Sequence, residues 1–376
     1  MNVSKDVALR YDEKIAFSLR QLYSRYGYSQ YRMSKFEEFE LYADKKDYLG
    51  AKSILSFTDT NGKLMALKPD VTLSIIKSLK KKSGTQKVYY QENVYRVSKT
   101  SGSYREILQT GLECIGAVGD YERAEVLYLS LLSLESMGRP FRLDLSHMGL
   151  LAELIDDLYM SKAGRKELIT CLSAKNAEGV RRICLDEGID GDIADKLSEA
   201  ASLYGSPEVV LPRLRRLLGI TVVPYLEQLD ELCAALTALG YEQNLGIDLS
   251  IVNDMSYYNG IVFRGYVEGM PDGVLSGGCY DLLMKKMGRD CSAIGFAVSL
   301  DEIERLEKTE HLYDYDVVLY TDPSVSHDKV LTYVSDFAGE GKSVRVVNDD
   351  SQVSAEHYYR VTDYGLISAA KEEGQE

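Results

Sequence analysis

The sequence predicts an α+β protein: an antiparallel sheet flanked by helices, interrupted by a block of helices and followed by a small α/β tail. Three observations predict it. Val88 to Val97 and Tyr104 to Gly116 read as two long strands, joined by a linker of loop composition, Ser98-Lys99-Thr100-Ser101-Gly102-Ser103. From Gly149 to about Ala238 the chain changes to short amphipathic helices broken by Gly164, Gly188, Gly205, Pro207 and Pro224. After Tyr313 a strand (Asp316 to Tyr320), a helix (Asp328 to Phe337) and a second strand (Ser343 to Val347) make a βαβ-like pattern.

The other elements fall between these. Asp12 to Tyr26 has apolar residues at Ile15, Leu19, Leu22 and Tyr26, one helical stripe, and Gly27 closes it. Ser53 to Thr58 and Lys63 to Leu67 predict a hairpin around Asn61-Gly62. Pro69 stops the second strand, and Asp70 to Leu79 reads as a short helix. Beyond the helical block, strand signals return at Leu245 to Val252, Gly260 to Val267, Val274-Leu275 and Ile294 to Val298, with a helix-like Tyr280 to Met287. The expected units are a discontinuous core (1–147 and 245–308), an insertion (148–244) and a tail domain (313–376). Residues 371–376 are expected to be disordered.

Composition excludes several classes of function. A net charge of −14 argues against a broad nucleic-acid footprint, which needs clustered cations. No apolar run reaches the 18 residues of a membrane span, and the first residues lack a signal peptide's apolar stretch. The six cysteines are dispersed without metal spacing, which fits a reduced, cytoplasmic chain. Four scattered histidines make no zinc cluster, so no metal or other cofactor is expected. With 28 tyrosines and no tryptophan, most large aromatic burial falls on Tyr, whose hydroxyl still needs a partner inside a core.

Chemistry concentrates on the second long strand. Side chains alternate, so Arg105, Ile107, Gln109, Gly111, Glu113 and Ile115 share one face, and Leu108, Leu112 and Cys114 the other. Gln109 and Glu113 therefore project together, with Gly111 leaving room between them for a ligand. A buried amide and carboxylate need a polar partner; the competing reading is a solvated sheet face, which this strand alone favours slightly. Asp70 and Thr72 stand where a strand gives way to a helix, as a helix cap or as a grip on an ammonium group. Tyr257-Tyr258-Asn259-Gly260 and Ser276-Gly277-Gly278-Cys279-Tyr280-Asp281 are weak alone, since tyrosine pairs are usually core and paired glycines usually turns.

In order and spacing these pieces resemble the catalytic core of class II histidyl-tRNA synthetases, over roughly residues 10 to 305. Gly27-Tyr28 through Phe36-Glu37 resembles the dimer-forming first motif. Leu67 to Thr72 resembles the histidine-binding loop. Tyr95-Arg96 and Gln109-Thr110-Gly111-Leu112-Glu113 resemble the second motif, Asn253 to Val262 a histidine-specific motif, and Gly277 to Asp281 with Ala293 to Ala297 the approach to the third. The resemblance implies a class II aminoacyl-tRNA synthetase-like sheet. It places Asp70, Thr72 and Gln109 around an α-amino group, and Glu113, Tyr258 and Tyr280 at an imidazole.

The departures lie on the ATP side. Arg96 is kept, but Ser98 stands where the family has a glutamate, Asn253 where it has a catalytic arginine, and Glu302 where it has the third-motif arginine. Ser34 replaces the first-motif proline. Exchanging arginine for glutamate beside a polyphosphate turns an attraction of about 1–4 kcal/mol at 4 Å into a repulsion. Loss of ATP contacts with retention of a histidine pocket, and Asp70-Val71-Thr72 in the binding loop, resemble the regulatory subunits of ATP phosphoribosyltransferase. That family implies a non-catalytic subunit binding histidine, a short catalytic partner subunit, self-association into a dimer or higher oligomer, and no tRNA or membrane partner. About 60 residues after Tyr313 are too few for a full anticodon-binding domain. An active histidyl-tRNA synthetase, or a synthetase-like binding module with another partner, are the competing functions.

Overall fold

The structure, a computed structural model, describes residues 10–43, 54–78, 84–97, 102–252, 257–303, 313–348 and 353–369. The chain divides into a large compact unit, Tyr11–Leu306, and a small one that includes Glu307–Glu376. Residues 371–376, expected to be disordered, lie outside the described residues.

In the large unit, helix α1 (Tyr11–Arg25) precedes β1 (Ser29–Gln30), β2 (Phe36–Glu38), α2 (Glu40–Ala43), β3 (Ser56–Thr58), β4 (Leu64–Leu67) and α3 (Val71–Ser78). The long strands β5 (Gln86–Val97) and β6 (Tyr104–Gly116) follow, then α4 (Asp120–Glu135) and β7 (Phe141–His147). The helical block holds α5 (Met148–Asp156), α6 (Lys162–Ser173), α7 (Ala177–Asp186), α8 (Gly191–Ser202), the two-residue β8 (Tyr204–Gly205), α9 (Pro207–Leu217) and α10 (Val223–Ala238). The chain returns through β9 (Leu245–Asp248), β10 (Ile261–Val267), β11 (Leu275–Cys279), α11 (Asp281–Lys286), β12 (Ser292–Ser299) and α12 (Leu300–Ile303).

Nine strands form one sheet in the order β1-β5-β6-β12-β11-β10-β7-β9-β8. Its middle is antiparallel, as expected, while β1 runs parallel to β5 and β7 parallel to β9. A separate antiparallel sheet, β2-β4-β3, carries the predicted hairpin, whose turn is held by Asp59 accepting from the backbone N–H of Asn61 and of Lys63.

Both faces of the sheet's centre are covered, which explains why β6 is buried on each. On one side α1 and α4 pack against Leu112, Cys114 and Phe296. On the other, α3 and α11 pack against Val88, Tyr90 and Ile115. The buried stripe of α1 runs Ile15, Leu19, Tyr23 rather than through Leu22 and Tyr26, which are only half-buried. Tyr23 wins the interior because its hydroxyl finds Ser133 of α4 at 3.0 Å, and a buried phenol needs such a partner.

Gly188, Gly205, Pro207 and Pro224 fall at helix boundaries as expected, whereas Gly164 lies inside a helix. Gly164 sits in the first turn of α6, where its N–H is capped by Ser161 Oγ at 3.0 Å. Pro207 opens α9 and Pro224 lies in the first turn of α10, where a missing N–H leaves no bond unmade. Gly205 lies in β8, which pairs with β9 and so extends the main sheet. Residues of the helical block and of the sheet belong to one continuous hydrophobic core.

The small unit has the expected strand, helix and strand as β13 (Tyr315–Thr321), α13 (His327–Gly339) and β14 (Val344–Val347). It also contains an unanticipated hairpin, β15 (Ala355–Thr362) and β16 (Gly365–Ser368). Its sheet order is β14-β13-β15-β16. The turn signal Asp363-Tyr364-Gly365 was present, but without a clean apolar alternation before it.

Candidate functional site

The site is laid out by strand register. Around β6, Gln109 pairs with Glu92 of β5 and Ser299 of β12; Gly111 with Tyr90 and Ala297; Glu113 with Val88 and Gly295. Directly paired residues share a face. Gln109 and Glu113 thus look onto a cavity of about 380 Å³, which Asp70, Thr72, Tyr90, Arg96, Tyr257, Tyr258 and Tyr280 also line. That volume lies at the small end of the range for ligand pockets, roughly 300–1,000 Å³. All six residues singled out from the sequence reach this cavity. The solvated-face reading of β6 is overturned: Glu113 is 2 % exposed and Gln109 9 %.

Glu113 is the hub. Thr72 Oγ1 donates to its Oε1 at 2.6 Å, and the Tyr280 hydroxyl donates to its Oε2 at 2.6 Å. Thr72, expected among the α-amino contacts, is joined directly to Glu113. The reason is that α3 lies over the sheet and turns its first-turn hydroxyl down onto β6. Burial pushes the Glu113 carboxyl up to about 8, against the pull of the Thr72 and Tyr280 hydrogen bonds, and the nearby Asp70 adds to the rise. Burial thus favours the protonated form of Glu113. The Tyr280 and Tyr258 phenols are raised too, first by burial and then by Glu113.

The room around Glu113 comes from glycine, though from a different one than expected. A Cβ at Gly295 would overlap Glu113 Oε2 and come within 2.5 Å of the Leu112 carbonyl. Gly111, expected to leave space for a ligand, is instead roofed by Tyr90, whose hydroxyl lies 2.6 Å from where a Cβ would stand. Gly277 likewise makes room for protein: its missing Cβ is replaced by Phe263 and Phe296.

Asp70 does both jobs that the sequence left open. One oxygen caps α3 by accepting from Leu73 N–H at 2.9 Å, and the other faces Arg96 Nη2 at 3.8 Å. Arg96 is further tied by Nε to the Pro69 carbonyl at 2.9 Å. The guanidinium stands at the mouth, 42 % exposed, and the carboxyl of Glu113 at the floor. One wall is aromatic: the Tyr257 and Tyr258 rings lie 4.6 Å apart, and Tyr257 and Tyr280 6.0 Å. This wall is pinned by Asn259 Oδ1 accepting from the Asp281 N–H, while Asp281 Oδ1 accepts from Ala293 N–H.

Sequence reasoning missed Tyr90, Tyr257 and Gly295 as site residues. The face parity of β5 against β6 could have found Tyr90; nothing local marks Gly295. Of the ATP-side positions, Arg96 lines the cavity, and Glu302 falls in α12 with its side chain outside the described residues. Ser98 and Asn253 also lie outside them. No cluster of three or more His, Cys, Asp or Glu among the described residues is placed to hold a metal. No helix among them is long and apolar enough to cross a membrane.

With this geometry, similarity to known proteins becomes informative. The family model for histidyl-tRNA synthetase matches residues 6–303. A relative from Caldanaerobacter subterraneus subsp. tengcongensis, named ATP phosphoribosyltransferase regulatory subunit, is 30 % identical over 298 residues, covering 78 % of each chain. Two solved structures share the fold. An ATP phosphoribosyltransferase regulatory subunit/histidyl-tRNA synthetase from Bacillus halodurans has a TM-score of 0.74 at 24 % identity, with 90 % of each chain covered. An ATP phosphoribosyl transferase complex from Thermotoga maritima has a chain with a TM-score of 0.62 at 21 % identity, covering 76 % of this chain and 96 % of that one. The chain belongs to the histidyl-tRNA synthetase family and, within it, to the ATP phosphoribosyltransferase regulatory subunits.

Proposed function

We propose that this protein is the non-catalytic regulatory subunit of an ATP phosphoribosyltransferase in the first step of histidine biosynthesis, and that it binds free histidine in the Glu113 cavity. The observation that carries the reading is the convergence of Asp70, Thr72, Gln109, Glu113, Tyr258 and Tyr280 on one closed-ended cavity with a carboxyl at its floor. A carboxyl and phenols suit the two nitrogens of an imidazole, and Asp70 with Gln109 suits an ammonium. The partner is a short catalytic chain that itself binds ATP and phosphoribosyl pyrophosphate. The regulatory subunit supports that chain's activity and transmits histidine feedback. It acts in the cytoplasm, self-associated as a dimer or higher oligomer, without tRNA.

The absence of chemistry follows from Asn253 and Glu302, which by resemblance stand where the synthetases have a catalytic arginine and the arginine that holds the ATP phosphates. Without those cations the charge of adenylate formation is unsupported. Calorimetry with histidine tests the pocket: the parent binds, and Glu113→Leu, which gives the ligand an apolar floor, does not. Equal affinity in both would make the cavity a relic. The retained Arg96 favours a second reading, an active synthetase, and pyrophosphate exchange at ordinary rates of about 1 s⁻¹ or more would establish it.

A further inference from the structure

Four tyrosines stand out among the described residues as fully buried: Tyr23, Tyr42, Tyr90 and Tyr280. Three of them have their hydroxyls satisfied by protein, on Ser133, Glu37 and Glu113 respectively. The Tyr90 hydroxyl alone takes no hydrogen bond from any described residue. That hydroxyl is not sealed among protein atoms: it opens onto the cavity, where a ligand can pair with it.

Its place explains what would complete it. Tyr90 pairs with Gly111, so it lies on the cavity face between the Glu92–Gln109 and Val88–Glu113 pairs. The missing Cβ of Gly111 lets the ring fold over β6, with Cζ and the hydroxyl 2.8 and 2.6 Å from the Cβ position. Tyr90 lines the cavity wall. The ionisable groups that bear on it are the carboxyls of Glu113 and Asp70 and the phenol of Tyr258, and they hold its own phenol well above the usual range, after burial. A phenol there can donate its O–H to a lone-pair nitrogen or accept from an N–H, and a ligand nitrogen in the cavity supplies one or the other.

We propose that Tyr90 is a further specificity residue of this pocket, its hydroxyl hydrogen-bonding a nitrogen of the bound amino acid between the groups held at Gln109 and at Glu113. The inference rests on the histidine reading given above and adds a contact that the six sequence-derived residues do not include. It also gives Gly111 a role: the glycine is there to seat Tyr90.

The test is Tyr90→Phe in the full chain, which deletes one oxygen and keeps the ring. Histidine affinity is measured by calorimetry and unliganded stability by thermal melting. The expected result is a split. Kd for histidine rises about three- to tenfold, the equivalent of one lost hydrogen bond, while the unliganded Tm stays level or rises because no protein bond was removed. Unchanged histidine affinity in the variant, with a parent that binds, overturns the assignment and leaves the histidine reading standing; a bound water is then the hydroxyl's partner. A Tm that falls along with the affinity also overturns it, by showing a structural bond. A parent that binds no histidine overturns the histidine reading and this contact with it.

Discussion

The floor and the mouth of the cavity are built differently. At the floor, Glu113 sits on the central strand, is gripped by two hydroxyls at 2.6 Å and owes its space to a glycine on the neighbouring strand. At the mouth, Arg96 is 42 % exposed and its ion pair with Asp70 is long, 3.8 Å. The floor uses buried, mutually dependent groups, where removing one strands another. The mouth uses a screened charge that can be lost at little cost to the fold. The buried groups around Glu113 thus depend on one another, whereas the Arg96 pair at the mouth can change with little effect on packing.

The largest effect is expected from filling the floor. Gly295→Ala puts a methyl group into the Glu113 carboxylate and against the Leu112 carbonyl, neither of which can retreat within a paired strand. Overpacking of this kind costs roughly 1–3 kcal/mol or more. The variant is expected to lose detectable histidine binding and to melt several degrees lower; an unchanged Tm would mean that the floor is softer than the register implies.

Next comes the proton on Glu113. The folded pKa of about 8 is raised above the ordinary 4.5. The stability linked to this proton is complete below about 4.5 and is lost as pH rises through 8, with a slope of up to about 1.4 kcal/mol per pH unit. Thermal melts of the parent against Glu113→Gln between pH 4.5 and 8.5 isolate this group. The parent is expected to lose stability relative to the variant as pH rises, and parallel curves would remove the buried acid from the account. Histidine affinity of the variant should fall, less than in Glu113→Leu, because the amide keeps a polar floor but loses the charge available to an imidazolium.

Arg96→Ala should matter less. It removes an exposed, long ion pair and the bond to the Pro69 carbonyl, so about 1 kcal/mol of stability or less is at stake. A calorimetric loss of histidine affinity as large as that of Glu113→Leu would erase the distinction between floor and mouth. Ser98→Ala is expected to be smallest, within about twofold in histidine affinity, because the resemblance puts that position on the ATP side.

How legible all this was depended on distance along the chain. Alternation with period two places Gln109 and Glu113 on one face, and a strand end followed by a helix start flags Asp70 and Thr72; that these four and Tyr258 and Tyr280 share one pocket came from the resemblance to histidyl-tRNA synthetases. The bounds of β6 were read as they stand, Tyr104–Gly116. The two-residue β8 could not be read, since its strand character comes only from pairing with β9. The α1 stripe was misplaced by one position because two tyrosines compete for the interior, and only the location of Ser133 decides between them.

The sequence by itself determined most element types and the faces of the long strands, and its resemblance to the synthetases named the residues of the cavity. Tertiary structure decided which of those faces meet. Tyr280 reaches Glu113 from 167 residues away, and Gly295 lies beside that carboxyl only because β12 pairs with β6 in one particular register. Local spacing carries the direction in which a side chain points, because backbone geometry repeats every two or 3.6 residues. It carries nothing about what waits opposite, which is set by the packing of α1 and α4 on one face of the sheet and of α3 and α11 on the other.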